Sequence, residues 1–167
     1  MSDDCDGVLP PKVLEGLKLF NEKQFFESHE ELEDAWSDEK GAIRSLYQGV
    51  LQAAVVYFHI SRGNYEGSIR MYGRCMKLLQ DYPDVCRGIN VGKLKRDLNV
   101  VNEEVKRLGA ERISEFDKTL FRNLEWNEKR LWRCDRCGTQ MYEKNCKVIC
   151  PNCGNNFDCS DLNLYFD

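Results

Sequence analysis

The chain has 167 residues, with 24 Lys+Arg against 28 Asp+Glu for a formal charge of −4, which is the size of one domain with room for a small appendage. Its 42% hydrophobic and 31% charged residues supply matter for a core and exclude fibrous and disordered classes. The acidic balance also argues against a protein whose main task is neutralising duplex phosphates, which takes a clustered excess of Lys and Arg.

Residues 1–9 are acidic and carry neither a basic n-region nor an apolar run, so they predict a flexible N-terminus without a secretory signal. The longest apolar stretch, residues 50–60, is interrupted by Gln52 and His59 and falls short of the roughly 20 residues that cross a bilayer. No membrane partner is expected. Nine cysteines with no export signal point to a reducing, cytoplasmic setting, where metal is expected before disulfides.

Residues 10–124 read as a helical bundle. Pro10 and Pro11 open a first helix, since proline is tolerated in the first turn, and Val13, Leu14, Leu17 and Phe20 form its apolar side. A second helix covers about 24–37. A third, about 41–62, is apolar nearly all round, as a central helix must be. The fourth carries Tyr65, Ile69, Tyr72, Met76 and Leu79 on one stripe and ends before Pro83. The fifth repeats that spacing with Leu94, Leu98, Val101, Val105 and Leu108 before Gly109, and 113–124 reads as a short sixth; no hairpin signal is visible. An echo at an offset of 40 aligns residues 20–25 with 60–65, each a helix end, a turn and an aromatic opening the next helix. The expected fold is all-α, a bundle of five to six helices, followed by a linker at 125–133, a cysteine-rich segment at 134–159 and a tail at 160–167.

The cysteine-rich segment holds two matched knuckles, Cys134-x2-Cys137-Gly138 and Cys150-x2-Cys153-Gly154. Two thiolates three positions apart on a tight turn face one ion, and the following glycine lets backbone amides turn toward sulfur without a Cβ clash. Cys134, Cys137, Cys150 and Cys153 are therefore the expected ligands of a single structural zinc ion with no open coordination position. Cys146 and Cys159 fall outside the knuckles and are read as bystanders; Cys75 reads as a small buried side chain, Cys5 and Cys86 as free thiols. Between Trp126 and Cys150 six basic residues stand against three acidic, with Trp132 and Tyr142 nearby. This modest patch ranks a protein partner ahead of single-stranded nucleic acid.

On a helical wheel Phe25, Phe26, Leu32 and Trp36 fall within about 60° of His29, and so does Glu33, so His29 and Glu33 are expected on the buried face. The third helix carries one polar stripe, Gln48, Gln52, His59 and Arg62 with Arg44 and Ser45. If the two faces meet, His29, Glu33, Trp36, Gln48, Gln52 and His59 line a polar pocket. Such a pocket is read as a packing network, as a ligand or two-histidine, one-carboxylate metal site, or as a general base (His29) oriented by a carboxylate (Glu33).

His29-x3-Glu33-x2-Trp36, then Tyr47-Gln48-Gly49-x2-Gln52-x-Ala54 and Arg62-Gly63-Asn64, resembles the small helical domain-of-unknown-function family 309 over about residues 14–79. The resemblance implies an all-helical bundle and a site at the HxxxExxW residues, and supplies no reaction. The functional expectation is a non-enzymatic, cytoplasmic binding or adaptor protein with a protein partner. Its rival is a small-ligand binder or hydrolase working at the His/Glu pocket.

Overall fold

The computed structural model describes residues 2–127, 132–144 and 147–158. The chain divides into two compact units, 1–128 and 129–167, each with its own hydrophobic core.

The first unit contains α1 (Ser2–Cys5), α2 (Pro11–Asn21), α3 (Phe25–Asp38), α4 (Arg44–Ser61), α5 (Tyr65–Leu79) and α6 (Val91–Arg112). From α2 onward each helix packs against the next. Local chemistry sets the ends. Pro11 occupies the first turn of α2; the Asn64 and Asn90 side chains accept the amides of Gly67 and Lys93 to cap α5 and α6. Lys23 (φ 66°) and Gly63 (φ 72°) turn the chain between α2 and α3 and between α4 and α5, so the echo at an offset of 40 repeats a turn geometry. Helix α4 buries Leu46, Tyr47, Val50, Ala53, Ala54, Val56 and Tyr57 around much of its circumference, as its sequence requires. The expected all-α bundle is the observed one.

Close helix contact rests on small residues. In α2 a Cβ on Gly16 would stand 2.6 Å from Leu32 Cγ of α3, and the buried Ser28 hydroxyl donates to the Gly16 carbonyl at 2.7 Å. Between α4 and α5 the Cys75 thiol donates to the Gly49 carbonyl at 3.1 Å, while Leu79 fills the space above Gly49.

Three expectations are corrected. The expected flexible N-terminus is tied down over its described residues, 2–9: α1 brings Cys5 into a disulfide with Cys86, Leu9 is buried, and Arg87 donates to the Asp4 carbonyl at 2.7 Å and to the Tyr47 hydroxyl at 2.8 Å. The reading of Cys5 and Cys86 as free thiols fails with it. Second, a hairpin exists: β1 (Val85–Cys86) pairs with β2 (Ile89–Asn90) across a two-residue turn, where Arg87 (φ 49°) and Gly88 (φ 81°) are both left-handed, as this turn class demands. Arginine at the first position hides the usual Asn-Gly signal. Third, 113–124 is no helix. Left-handed Gly109 interrupts α6, and two 3-10 turns, Ile113–Glu115 and Lys118–Leu120, follow; Phe116, Phe121 and Leu124 reach the core at spacings no single helical face supplies. Residues 125–127 of the expected linker pair with the hairpin, through Asn90 N–H to the Glu125 carbonyl and Asn127 N–H to the Gly88 carbonyl, both 2.9 Å.

The second unit is a three-stranded antiparallel sheet, β3 (Tyr142–Lys144), β4 (Lys147–Ile149) and β5 (Asn156–Asp158), in the order β3-β4-β5. Trp132, Cys134, Met141, Val148 and Cys150 are its buried side chains. Cys146, Cys159 and the tail at 160–167 lie outside the described residues.

Candidate functional site

The two knuckles of the ribbon are near copies. Gly138 and Gly154 (φ 73° and 79°) return their amides to the Cys134 and Cys150 carbonyls at 2.8 and 3.1 Å, while the Cys134 and Cys150 amides donate to Thr139 and Asn155. This brings the four sulfurs within 4.8 Å of one another; Cys134 to Cys153 and Cys137 to Cys150 are each 3.5 Å, Cys137 to Cys153 is 3.8 Å. Tetrahedral zinc with Zn–S of about 2.3 Å sets sulfurs about 3.8 Å apart, so the cage fits that ion. Bonding to Thr139 and Asn152 holds the Cys137 thiol down to about 6. Against the lowering bond from the Asn155 amide, proton sharing with Cys134 and burial push Cys153 up to about 11. A divalent ion held by this cage lets all four thiols ionise. The site is a closed structural zinc centre, as the spacing indicated.

In the helical unit the orientation of α3 differs from expectation. Its buried residues are Phe25, Ser28, Leu32 and Ala35, which centres the inward face about 80° round the helix from His29. Ser28, polar on paper, is inside because its hydroxyl is spent on Gly16. Glu33 is turned outward, its side chain 51% exposed; His29 sits at the edge, 27% exposed, with Nε2 at 3.3 Å from the Glu33 carboxylate.

Trp36, Gln48, Gln52 and His59 are each half-buried. The Arg44 guanidinium lies 4.2 Å from the centre of the Trp36 ring and donates to the Trp36 carbonyl at 3.2 Å. Trp36 Nε1 and Gln52 Oε1 are buried with no hydrogen-bond partner among the described residues. Gln48 is half-buried one turn before Gln52. Arg62 turns away to lie 5.4 Å from the Phe58 ring. His59 Nδ1 faces Asn64 Nδ2 at 3.2 Å; because Asn64 Oδ1 is already taken by the Gly67 amide, Nδ2 is the donor and His59 carries its proton on Nε2. Burial lowers the pKa of His59, and Arg70 lowers it further.

His29 and His59 come together: with Phe25, Phe26, Val55 and Phe58 they line one cavity of about 150 Å³. Glu33, Trp36, Gln48 and Gln52 do not line it. Among the described residues the four cysteines are the sole group of three or more His, Cys, Asp or Glu with ligand atoms near enough to share an ion. The two-histidine, one-carboxylate metal set is therefore not assembled. Sequence reasoning missed Phe26 and Phe58 as site residues. Their periodicity predicts core positions, yet Phe26 is 47% exposed and the two rings lie 5.6 Å apart. Trp132, read as a stacking platform, is buried in the ribbon core; Tyr142 is exposed.

Residues 13–71 match the family described as "Domain of unknown function (DUF309)", and residues 132–163 match one described as "Zinc finger protein-like". The chain is also 29% identical over 83 residues to an "Uncharacterized protein" of Aquifex aeolicus (strain VF5). That stretch is 49% of this chain and 25% of that protein, so the likeness spans about a quarter of the relative's length. The family resemblance read from the HxxxExxW and YQGxxQxA residues holds, and the ribbon lies outside it.

Proposed function

We propose that this chain is a non-enzymatic binding protein whose helical unit takes an apolar anchor side chain of a partner protein between α3 and α4. The observation that carries this reading is the 150 Å³ cavity with its lip of Phe26 and Phe58 and its two imidazoles. A cavity of about that size takes one benzene ring, and an exposed aromatic lip around a small apolar hole is how interface anchors are received. The His59 Nε2–H and the His29–Glu33 pair supply polar groups for orientation. The ribbon, held by zinc, offers a second surface, with a protein ranked ahead of nucleic acid because Trp132, one of the two aromatics beside its basic patch, is buried.

Affinity capture from the native host tests this with wild type, Phe26→Asp and Phe26→Leu. Phe26 is exposed, so all three fold; a partner held by wild type and Phe26→Leu and lost with Phe26→Asp supports the reading. Identical capture by all three defeats it. A second reading, a hydrolase using His29 as base, is favoured by the 3.3 Å His29–Glu33 contact. It requires ester or amide turnover that His29→Ala abolishes without unfolding the chain.

No helix among the described residues is long and apolar enough to cross a membrane. A cytoplasmic home is supported by the ribbon, whose sulfurs must stay reduced to ligate, while the Cys5–Cys86 bond argues the other way. Alkylation of protein taken directly from host cells decides: a reduced Cys5–Cys86 pair supports the cytoplasm, and an oxidised one opposes it.

A further inference from the structure

A second cavity, of about 310 Å³, opens between the C-terminal end of α4 and the two 3-10 turns that follow α6. It shares no lining residue with the α3–α4 cavity. Its floor is apolar and buried, made of Ile60, Ile113, Phe116 and Phe121, with Phe116 and Phe121 stacked at 5.0 Å. Its rim carries two cations, Arg62 and Lys118, and no Asp or Glu lines it among the described residues.

Neither rim cation makes an ion pair among the described residues; Arg62 rests on the Phe58 ring rather than on a carboxylate. The nearest acids in sequence are engaged elsewhere: Asp117 accepts the Thr119 amide and hydroxyl at 3.0 and 2.7 Å, and Glu115 binds Arg112 at 2.6 Å. Two cations with no carboxylate partner among the described residues thus stand over an apolar floor, an arrangement that attracts an anion with an apolar body. Guanidinium favours a carboxylate for its fork geometry. Volume sets the body: about 150 Å³ holds one benzene ring, so this cavity holds about two.

We propose that this cavity binds a small carboxylate with a flat, two-ring-sized apolar body, its acid between Arg62 and Lys118 and its body on Phe116 and Phe121. The probe is 2-naphthoate, titrated into the full chain and followed by amide NMR, with 2-naphthalenemethanol as the neutral isostere. Naphthoate is expected to saturate one site and shift residues 61–63 and 113–121, and the alcohol to bind at least about tenfold more weakly. In Arg62→Gln/Lys118→Gln naphthoate loses at least about tenfold while the alcohol is unchanged; both are rim residues, and unshifted amides elsewhere verify the fold. Equal binding of acid and alcohol, equal binding by the variant, shifts centred on His29 and His59, or no saturation by about 10 mM each overturns the proposal.

Discussion

At the scale of single residues, the helical unit turns on where small side chains sit. Gly16 and Gly73 are both glycines inside helices, and they predict opposite outcomes. An alanine at Gly73 meets nothing within 4 Å and recovers helix propensity, so Gly73→Ala is expected to stabilise by about 0.5–1 kcal/mol. At Gly16 the same gain is outweighed by a methyl 2.6 Å from Leu32 Cγ, where overpacking costs about 1–3 kcal/mol; Gly16→Ala is expected to lower stability by about 1 kcal/mol net. Denaturant midpoints of the two variants check both signs. This contact also explains why the inward face of α3 was not legible. Ser28 counts as polar on a wheel, which therefore centres the face on His29, whereas the acceptor that lets Ser28 go inside is a carbonyl of another helix. His59 gives a pH prediction. Its pKa is lowered in the fold, by burial first and Arg70 second, so as pH falls the unfolded chain takes up this proton before the native chain does. The stabilising contribution is present above the ordinary value of 6.5 and is lost as pH falls from there through the folded pKa. Wild type is expected to lose stability over that window more steeply than His59→Gln, and the ring's NMR midpoint to rise in Arg70→Gln.

At the scale of elements, the five long helices were legible because each carries an apolar pattern of helical period, with local punctuation: Pro10 and Pro11 opening α2, Gly63-Asn64 before α5, Gly109 near the end of α6. These signals are local. The hairpin, the pinned N-terminus and the 3-10 segment were not legible because their reasons lie far away in sequence. Arg87 adopts a left-handed turn while its guanidinium holds the Asp4 carbonyl and the Tyr47 hydroxyl, and Cys5 finds Cys86 across 81 residues. That separation has an energetic consequence. A cross-link closing so long a loop removes chain entropy from the unfolded state worth on the order of 4 kcal/mol. Cys5→Ala/Cys86→Ala is expected to unfold at markedly lower denaturant than wild type. Limited proteolysis is expected to trim the chain before Leu9 of this variant first, since the Arg87 hydrogen bonds and the burial of Leu9 then hold it without a covalent tie. An unchanged midpoint in the double variant would mean that the bond does not form in solution.

For the whole molecule, the two units fold for different reasons, and metal removal should separate them. The helical unit has a large continuous core and two interior Gly-mediated helix contacts, so its folding is expected to proceed on packing alone. The ribbon is a unit of under about 40 residues, a size at which a hydrophobic core alone seldom suffices, and its described buried side chains are five, two of which are ligands. Zinc binding worth on the order of 10–16 kcal/mol replaces the missing core. The knuckles were legible in the sequence for the same reason that they work: ligand, turn glycine and ligand spacing all lie within a few residues, and no distant partner decides their geometry. A strong chelator is therefore expected to erase the Trp132 and Val148 NMR signatures of the folded ribbon while the far-ultraviolet helical signal and the melting of residues 2–127 stay in place. Metal analysis should find one zinc per chain in wild type, in Cys146→Ser and in Cys159→Ser, and none in Cys134→Ser/Cys150→Ser. Retention of zinc by that last variant would move the ligand set onto the two cysteines outside the knuckles. Loss of helical signal on chelation would mean that the bundle, despite its own core, needs the ribbon to fold.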